Sequence, residues 1–388
     1  MRLQHRPSAV RATFDDPNLV SCAGLVPVMR LAESVGMHEV VAQRVRLPGD
    51  IGSNPAGKAA TIVAGMAAGA DSIDDLDLVR HGGMPALFEQ VYAPSTLGSF
   101  LRGFTHGHVR QLGAAARQML TRLASCVPLL PGVDQVCFVD VDSMLRRVYG
   151  KKKQGAAFGH TKLGGYDVRL RGLHPLLATI CTPLGAPVIA AVRLRAGNAA
   201  SARGAASLVA EAISTARGCG ALGEVVVRMD SAFYSRNILW AVRSGGARVS
   251  VTARADAKVR AACEGIPDEK WVDIKYPQAV WDEDAQRWIS DAQIAETTYT
   301  AFESTRQAIT ARLIVRRVKH STPGRRQGSR SCSRPTATTR CSPTARSSSP
   351  RPKPTTAATP SSNRSTPTSS TGRWRTCPRD ASPPTPPG

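Results

Sequence analysis

Val136-Cys137-Phe138-Val139-Asp140-Val141-Asp142-Ser143 and Glu224-Val225-Val226-Val227-Arg228-Met229-Asp230-Ser231 are the two stretches that decide how this chain folds. Each is rich in β-branched residues and short enough to be a buried strand rather than a helix. Each ends in aspartate followed by serine. A carboxylate at the end of a buried strand is held rigidly, and two such ends can share a divalent cation. Two-metal phosphoryl transfer needs that arrangement, with ions about 3.5–4 Å apart clamping the attacking and leaving oxygens. The plainer alternative is that each aspartate only caps the turn that follows it.

The chain around these stretches holds 388 residues, enough for two domains and a sizeable core. Lys and Arg number 51 against 29 Asp and Glu, a net charge of +22 that points to a polyanionic partner. Half of that excess sits in residues 320–388, with twelve basic side chains and one acid, Asp380. Nine cysteines form no CxxC pair and have no histidine at ligand spacing, so neither a zinc site nor a disulfide framework is expected. Cys137 and Cys181 lie in apolar runs and read as small core residues. Met1–Val20 lacks an apolar signal segment. The apolar stretch Gly172–Val192 is broken by Pro183-Leu184-Gly185-Ala186-Pro187 and reads as a hairpin. No membrane partner is expected, and the expected location is a reducing cytoplasm, on the nucleoid.

Residues 17–125 show helical spacing over Leu25–Val41, Ala56–Ala70 and Ile73–Phe88, then from Pro94 to about Gly103, then from an N-cap at Thr105 to Leu123. The last two helices flank a short glycine-containing turn. They are either a helix-turn-helix with Arg102, His106, His108 and Arg110 toward phosphates, or an ordinary bundle with a solvated basic face. From Gly132 the pattern is strand-rich. Lys151-Lys152-Lys153 and the glycines from Gly155 to Gly165 form either a loop that admits a phosphate backbone or a solvated hairpin tip. Leu176–Cys181 pairs with Val188–Leu194, a helix covers Ala200–Arg217, and another begins near Ser235. This is an α/β chain with a mixed sheet covered by helices. Residues 256–315 read as a smaller β-rich subdomain carrying Trp271, Trp281 and Trp288.

The order strand–Asp–Ser, Tyr149-Gly150-Lys151, Gly-rich loop, Leu194-Arg195-Ala196-Gly197-Asn198 and Arg228-Met229-Asp230-Ser231-Ala232-Phe233-Tyr234 resembles the DDE-type transposases of bacterial insertion sequences. The resemblance covers roughly residues 13–319. It implies a ribonuclease-H-like (retroviral-integrase-type) core. The parts would be a helical DNA-binding region (1–128), the first part of the core (129–255), a β-rich insertion (256–319) and a tail (320–388). It implies metal-binding acids at Asp142 and Asp230, with Asp140 as the runner-up because it lies on the same strand face. The ion would be Mg²⁺ or Mn²⁺. The partner would be double-stranded DNA, at terminal inverted repeats and at the target, held by a homodimer. Arg228, Arg236, Lys162 and His160 are candidate strand contacts, beside Arg102, Arg110 and Lys151, Lys152 and Lys153.

The family's third carboxylate is a Glu on a helix after the insertion, and here the chain departs from that pattern. Beyond Lys319 there is no Leu, Ile, Val, Phe, Met or Tyr, and a segment of that composition is expected to be disordered. A frameshift accounts for it. Ser361-Ser362-Asn363-Arg364-Ser365-Thr366-Pro367-Thr368-Ser369 can be encoded so that the DNA, read from the third base, gives Glu-Gln-Gln-Val-Asn-Ala-Asp-Leu. At the same offset, Gly372–Pro387 can be encoded to read Pro-Leu-Ala-His-Leu-Pro-Ser-Gly-Arg-Phe-Ala-Ala-Asn-Ala-Ala, and His320–Pro323 to read Leu-Asn-Pro. The expectation is a frameshifted transposase that lacks its third acid and is inactive. A truncated DNA-binding competitor at the inverted repeats is the alternative.

Overall fold

The computed structural model describes residues 16–88, 90–150, 153–163, 166–274, 281–283, 287–288, 292–318 and 336–340. Lys151 and Lys152 lie outside them, as does most of the expected disordered tail. The helical region opens with α1 (Leu25–Ser34) and α2 (Met37–Arg44), where one continuous helix is expected from the apolar spacing. Gly36 stands between them at a φ of 74°, a left-handed conformation that ends the first helix. α3 (Pro55–Ala67) begins with Pro in its first turn, and the Asn54 side chain accepts from the Gly57 N–H at 3.0 Å. The expected helix over 73–88 is instead two 3-10 turns, Asp74–Val79 and Met84–Leu87, divided at Gly82-Gly83. α4 (Pro94–Arg102) and α5 (His106–Cys126) follow. As the sequence predicts, Thr105 caps α5, its N–H donating to the His108 Nδ1 at 3.1 Å.

α5 ties two cores together. Met119 packs on a helical cluster that includes Met29, Met37, Ala64, Met84 and Phe100. Leu120 and Ala124 pack on the core of the sheet.

β1 (Val136–Ser143) leads into a ribbon of β2 (Arg146–Arg147), β3 (Ala157–Leu163) and β4 (Tyr166–Leu173), then the hairpin β5 (Leu176–Thr182) and β6 (Gly185–Arg193). α6 (Ala205–Gly218) leads to β7 (Glu224–Met229), and α7 (Arg236–Ser244) to β8 (Arg248–Ala253). After α8 (Ala257–Glu264) come β9 (Val272–Ile274), the short pair β10 (Trp281–Asp282) and β11 (Arg287–Trp288), the long hairpin β12 (Ala292–Ala301) and β13 (Ile309–Val318), and β14 (Thr336–Arg340). The main sheet has the order β6-β5-β1-β7-β8-β14-β13-β12-β9. Its first five strands are mixed: β6, β5 and β1 are antiparallel, and β1, β7 and β8 are parallel.

β1 shows why the sheet is one-sided. Cys137, Val139 and Val141 are buried, while Phe138, Asp140 and Asp142 alternate on the open face. The buried face joins Leu208, Val209, Ala212, Ile213 and Ala216 of α6, the buried Leu, Val and Ile each contributing about 1.5–3 kcal/mol.

Within the expected subdomain of residues 256–319, Ala295, Ala301, Ile309, Leu313 and Val315 share the core of the main sheet. Thr336–Arg340 forms β14 and joins β8 to β13, its threonines being strand formers even without an apolar pattern. Among the described residues no helix is long and apolar enough to cross a membrane.

Candidate active site

β1 and β7 run parallel in register from Val136↔Glu224 to Val141↔Met229. Asp142 and Asp230 each follow the last paired residues of this register, Val141 and Met229, so both stand at the same end of two neighbouring strands, which in any sheet run about 4.8 Å apart. Both aspartates are exposed. The Asp142 carboxylate accepts from the Ser143 N–H at 2.7 Å, and that of Asp230 from the Ala232 N–H at 2.9 Å, opening the 3-10 turn Ser231–Phe233. The turn-capping alternative therefore describes part of what these acids do. It leaves oxygen capacity over, because neither acid has a salt-bridge partner among the described residues. Two like charges opposite one another on adjacent strands repel. A hard divalent cation, which prefers carboxylate oxygens, would relieve that repulsion.

The surroundings hold this end of the sheet firmly. The Ser143 and Ser201 hydroxyls are 3.4 Å apart, and the Arg254 Nε donates to the Ser231 carbonyl at 3.2 Å. No third acid joins them: the described residues contain no group of three His, Cys, Asp or Glu placed to hold a metal ion. Glu303, the last glutamate, faces Lys258 at 3.8 Å, next to Phe302, which stacks on Tyr234.

Asp140, the runner-up metal ligand, is engaged by an arginine. Its two oxygens accept from the Nε and Nη2 of Arg228 at 2.5 and 2.6 Å, and the Cys181 thiol sits 3.3 Å away. Arg228, expected to contact DNA, is correspondingly engaged: its guanidinium lies 4.3 Å from the Phe138 ring centroid. The carboxylate bonded to it raises the Arg228 pKa above its usual value. Burial, and then Asp140, raise that of the Cys181 thiol.

The other basic candidates divide in the same way. Arg110 pairs with Glu211 at 3.0 Å, as do Arg117 at 3.1 Å and Arg193 at 2.7 Å, so Arg110 ties α5 to α6 instead of standing free. Arg102 is exposed and donates to the Ser99 hydroxyl at 3.2 Å. Arg236, at the start of α7, is exposed and has no ion pair among the described residues. Lys153 and His160 are exposed, and Lys162 lies on β3 opposite Asp167.

Sequence reasoning missed Arg195 as a structural hub. It is 8% exposed, with Nε donating to the His174 carbonyl and Nη1 to those of Ala200, Ser201 and Arg203. Those bonds fix the loop that brings Ser201 to Ser143. Burial, and then Arg203, lower the Arg195 pKa, and its Nη2 has no hydrogen-bond partner among the described residues. Its acceptors are backbone carbonyls of residues five, six, eight and 21 positions away, which no residue-type pattern announces.

Against known proteins, a family model described as transposase DDE domain group 1 matches residues 3–326. No curated protein matches the chain.

Proposed function

Because the chain belongs to the family of transposase DDE domains, we propose that Asp142 and Asp230 are the metal-binding carboxylates of a DNA-cleaving and strand-transferring site in a ribonuclease-H-like core. Membership implies, by family, an enzyme of transposition that acts on DNA. The observation that supports the finer reading is the parallel register of β1 and β7, paired as far as Val141 and Met229, after which each strand continues into an exposed aspartate without a salt bridge among the described residues. Their oxygens would hold a Mg²⁺ or Mn²⁺ ion, and a bound ion would supply charge stabilisation for phosphodiester chemistry. The backbone N–H groups of Ser143 and Ala232 fix one oxygen of each acid and leave the others for the ion.

The DNA would be the element's inverted repeats and its target, bound by a homodimer in a bacterial cytoplasm. As written, this chain does not transpose DNA: two acids hold one ion, whereas the two-ion clamp needs a third carboxylate. A frameshift near residue 320 removed that carboxylate, together with the helix that would carry it. The nucleotide sequence around codons 315–325 tests this, since a shift by one frame should restore an apolar helix bearing Glu. The purified 388-residue chain should not cleave element ends with Mg²⁺. The frame-restored chain should, unless Asp142 or Asp230 is changed to Asn. Cleavage by the 388-residue chain would refute the inactivity, and cleavage by restored chains carrying either Asn would refute the site.

A further inference from the structure

The ribbon β2–β4 presents a face that the carboxylate site does not use. Phe158 lies opposite Arg171 and His160 opposite Arg169, so these four side chains share one face. Phe158 is 57% exposed, and the neighbouring Tyr149 is 70% exposed. The Arg147 guanidinium covers the Tyr149 ring at 4.7 Å from its centroid. Together with Arg169 and Arg171, these residues line an open groove of about 550 Å³.

The opposite face is a seat. Gly159 lies so close to the Gly197 carbonyl that any Cβ there would collide with it, and a Cβ on Gly197 would strike the carbonyls of Ala157 and Gly172. The Gly197 N–H donates to the Gly155 carbonyl at 3.1 Å, and Leu173 bridges Ala196. Some of the chain's glycines therefore serve backbone-on-backbone packing, which holds the aromatic face still. The ribbon also hangs from the carboxylate strand, since Arg146 follows Ser143 by three residues.

We propose that this outer face is a stacking platform for unpaired bases of single-stranded DNA, a reading that rests on the DNA-cleaving function proposed above. The argument is charge and shape complementarity. Large rings left in water gain by covering their π-faces, and every unstacked base offers one. Arginines around the rings match the phosphates that accompany those bases. An intact duplex offers the phosphates but keeps its base faces stacked inside, so duplex alone leaves the rings unused.

The test is fluorescence anisotropy with the full 388-residue chain, a labelled 20-nucleotide oligothymidine and a 20-base-pair duplex at one salt concentration. Tyr149→Ala with Phe158→Ala should weaken oligothymidine binding by about tenfold or more and leave duplex binding within about twofold. Phe158→Trp should restore much of the loss. Both changed positions are exposed, and circular dichroism checks that the variants fold. Equal losses for both ligands, or no loss for oligothymidine, would overturn the platform. Wild-type binding to duplex but not to oligothymidine would overturn the platform alone and leave the transposase reading standing. Binding to neither would overturn both.

Discussion

Two rows of side chains, two residues apart on the same pair of parallel strands, have opposite chemistry. In the lower row Asp140 meets Arg228 and the charges cancel through two short hydrogen bonds. In the upper row Asp142 and Asp230 follow the last paired residues of the same two strands, and no cation among the described residues forms a salt bridge to either. The sheet supplies a basic partner where an acid has a structural task and withholds one at the strand ends. Uncompensated like charge at a rigid strand end raises the energy of the folded chain, and it becomes useful when a soluble cation binds there.

The contrast depends on a fixed upper row, and Arg195 holds the loop that braces it. Arg195→Ala would leave four carbonyls without their donor. It should lower stability by about 3 kcal/mol or more in urea unfolding, the largest effect expected of a single change here. A loss below about 1 kcal/mol would mean the loop is held by something else.

The buried face of β1 gives the next effect. Burial, followed by nearby Cys181, pushes the Cys137 thiol up to about 11. Its proton is then lost from the unfolded chain at a lower pH than from the folded one. The stability tied to this group is whole below about pH 9 and drains away as pH rises toward 11, at up to about 1.4 kcal/mol per pH unit. Cys137→Val should flatten that alkaline loss. An unchanged slope would place its origin elsewhere.

The two rows should also respond oppositely to removal of their acids. Asp140→Ala leaves Arg228 without its carboxylate, and because the pair is partly exposed and screened the cost should be about 1 kcal/mol. Asp142→Asn removes a repulsion and should be neutral or stabilising by a few tenths of a kcal/mol. Equal destabilisation in both would erase the distinction between the rows.

How much of this was legible in the sequence follows from the range of the interactions involved. β1, β7 and the β5–β6 hairpin could be read because β-branched runs and a Pro-Gly turn are local signals, and β7 spans the run Glu224–Met229 as read. The helical spacing around Gly36 and Gly82-Gly83 misled, because periodicity continues across a residue whose backbone turns left. Asp140 and Asp142 could not be told apart from β1 alone, since both lie on one face and differ only in what β7 sets opposite them. Arg110 reads as a free cation until a residue 101 positions away, Glu211, is folded against it. β14 was hidden because Thr336–Arg340 carries strand-forming threonines in a segment with no apolar alternation.

The most direct measurement is Mn²⁺ binding to the purified 388-residue chain, followed by the electron paramagnetic resonance signal of the free ion. The wild-type chain should bind one ion, Asp140→Asn should keep it, and Asp142→Asn and Asp230→Asn should each lose it. Retention of the ion in both strand-end variants, or its loss only in Asp140→Asn, would contradict a cation shared by Asp142 and Asp230.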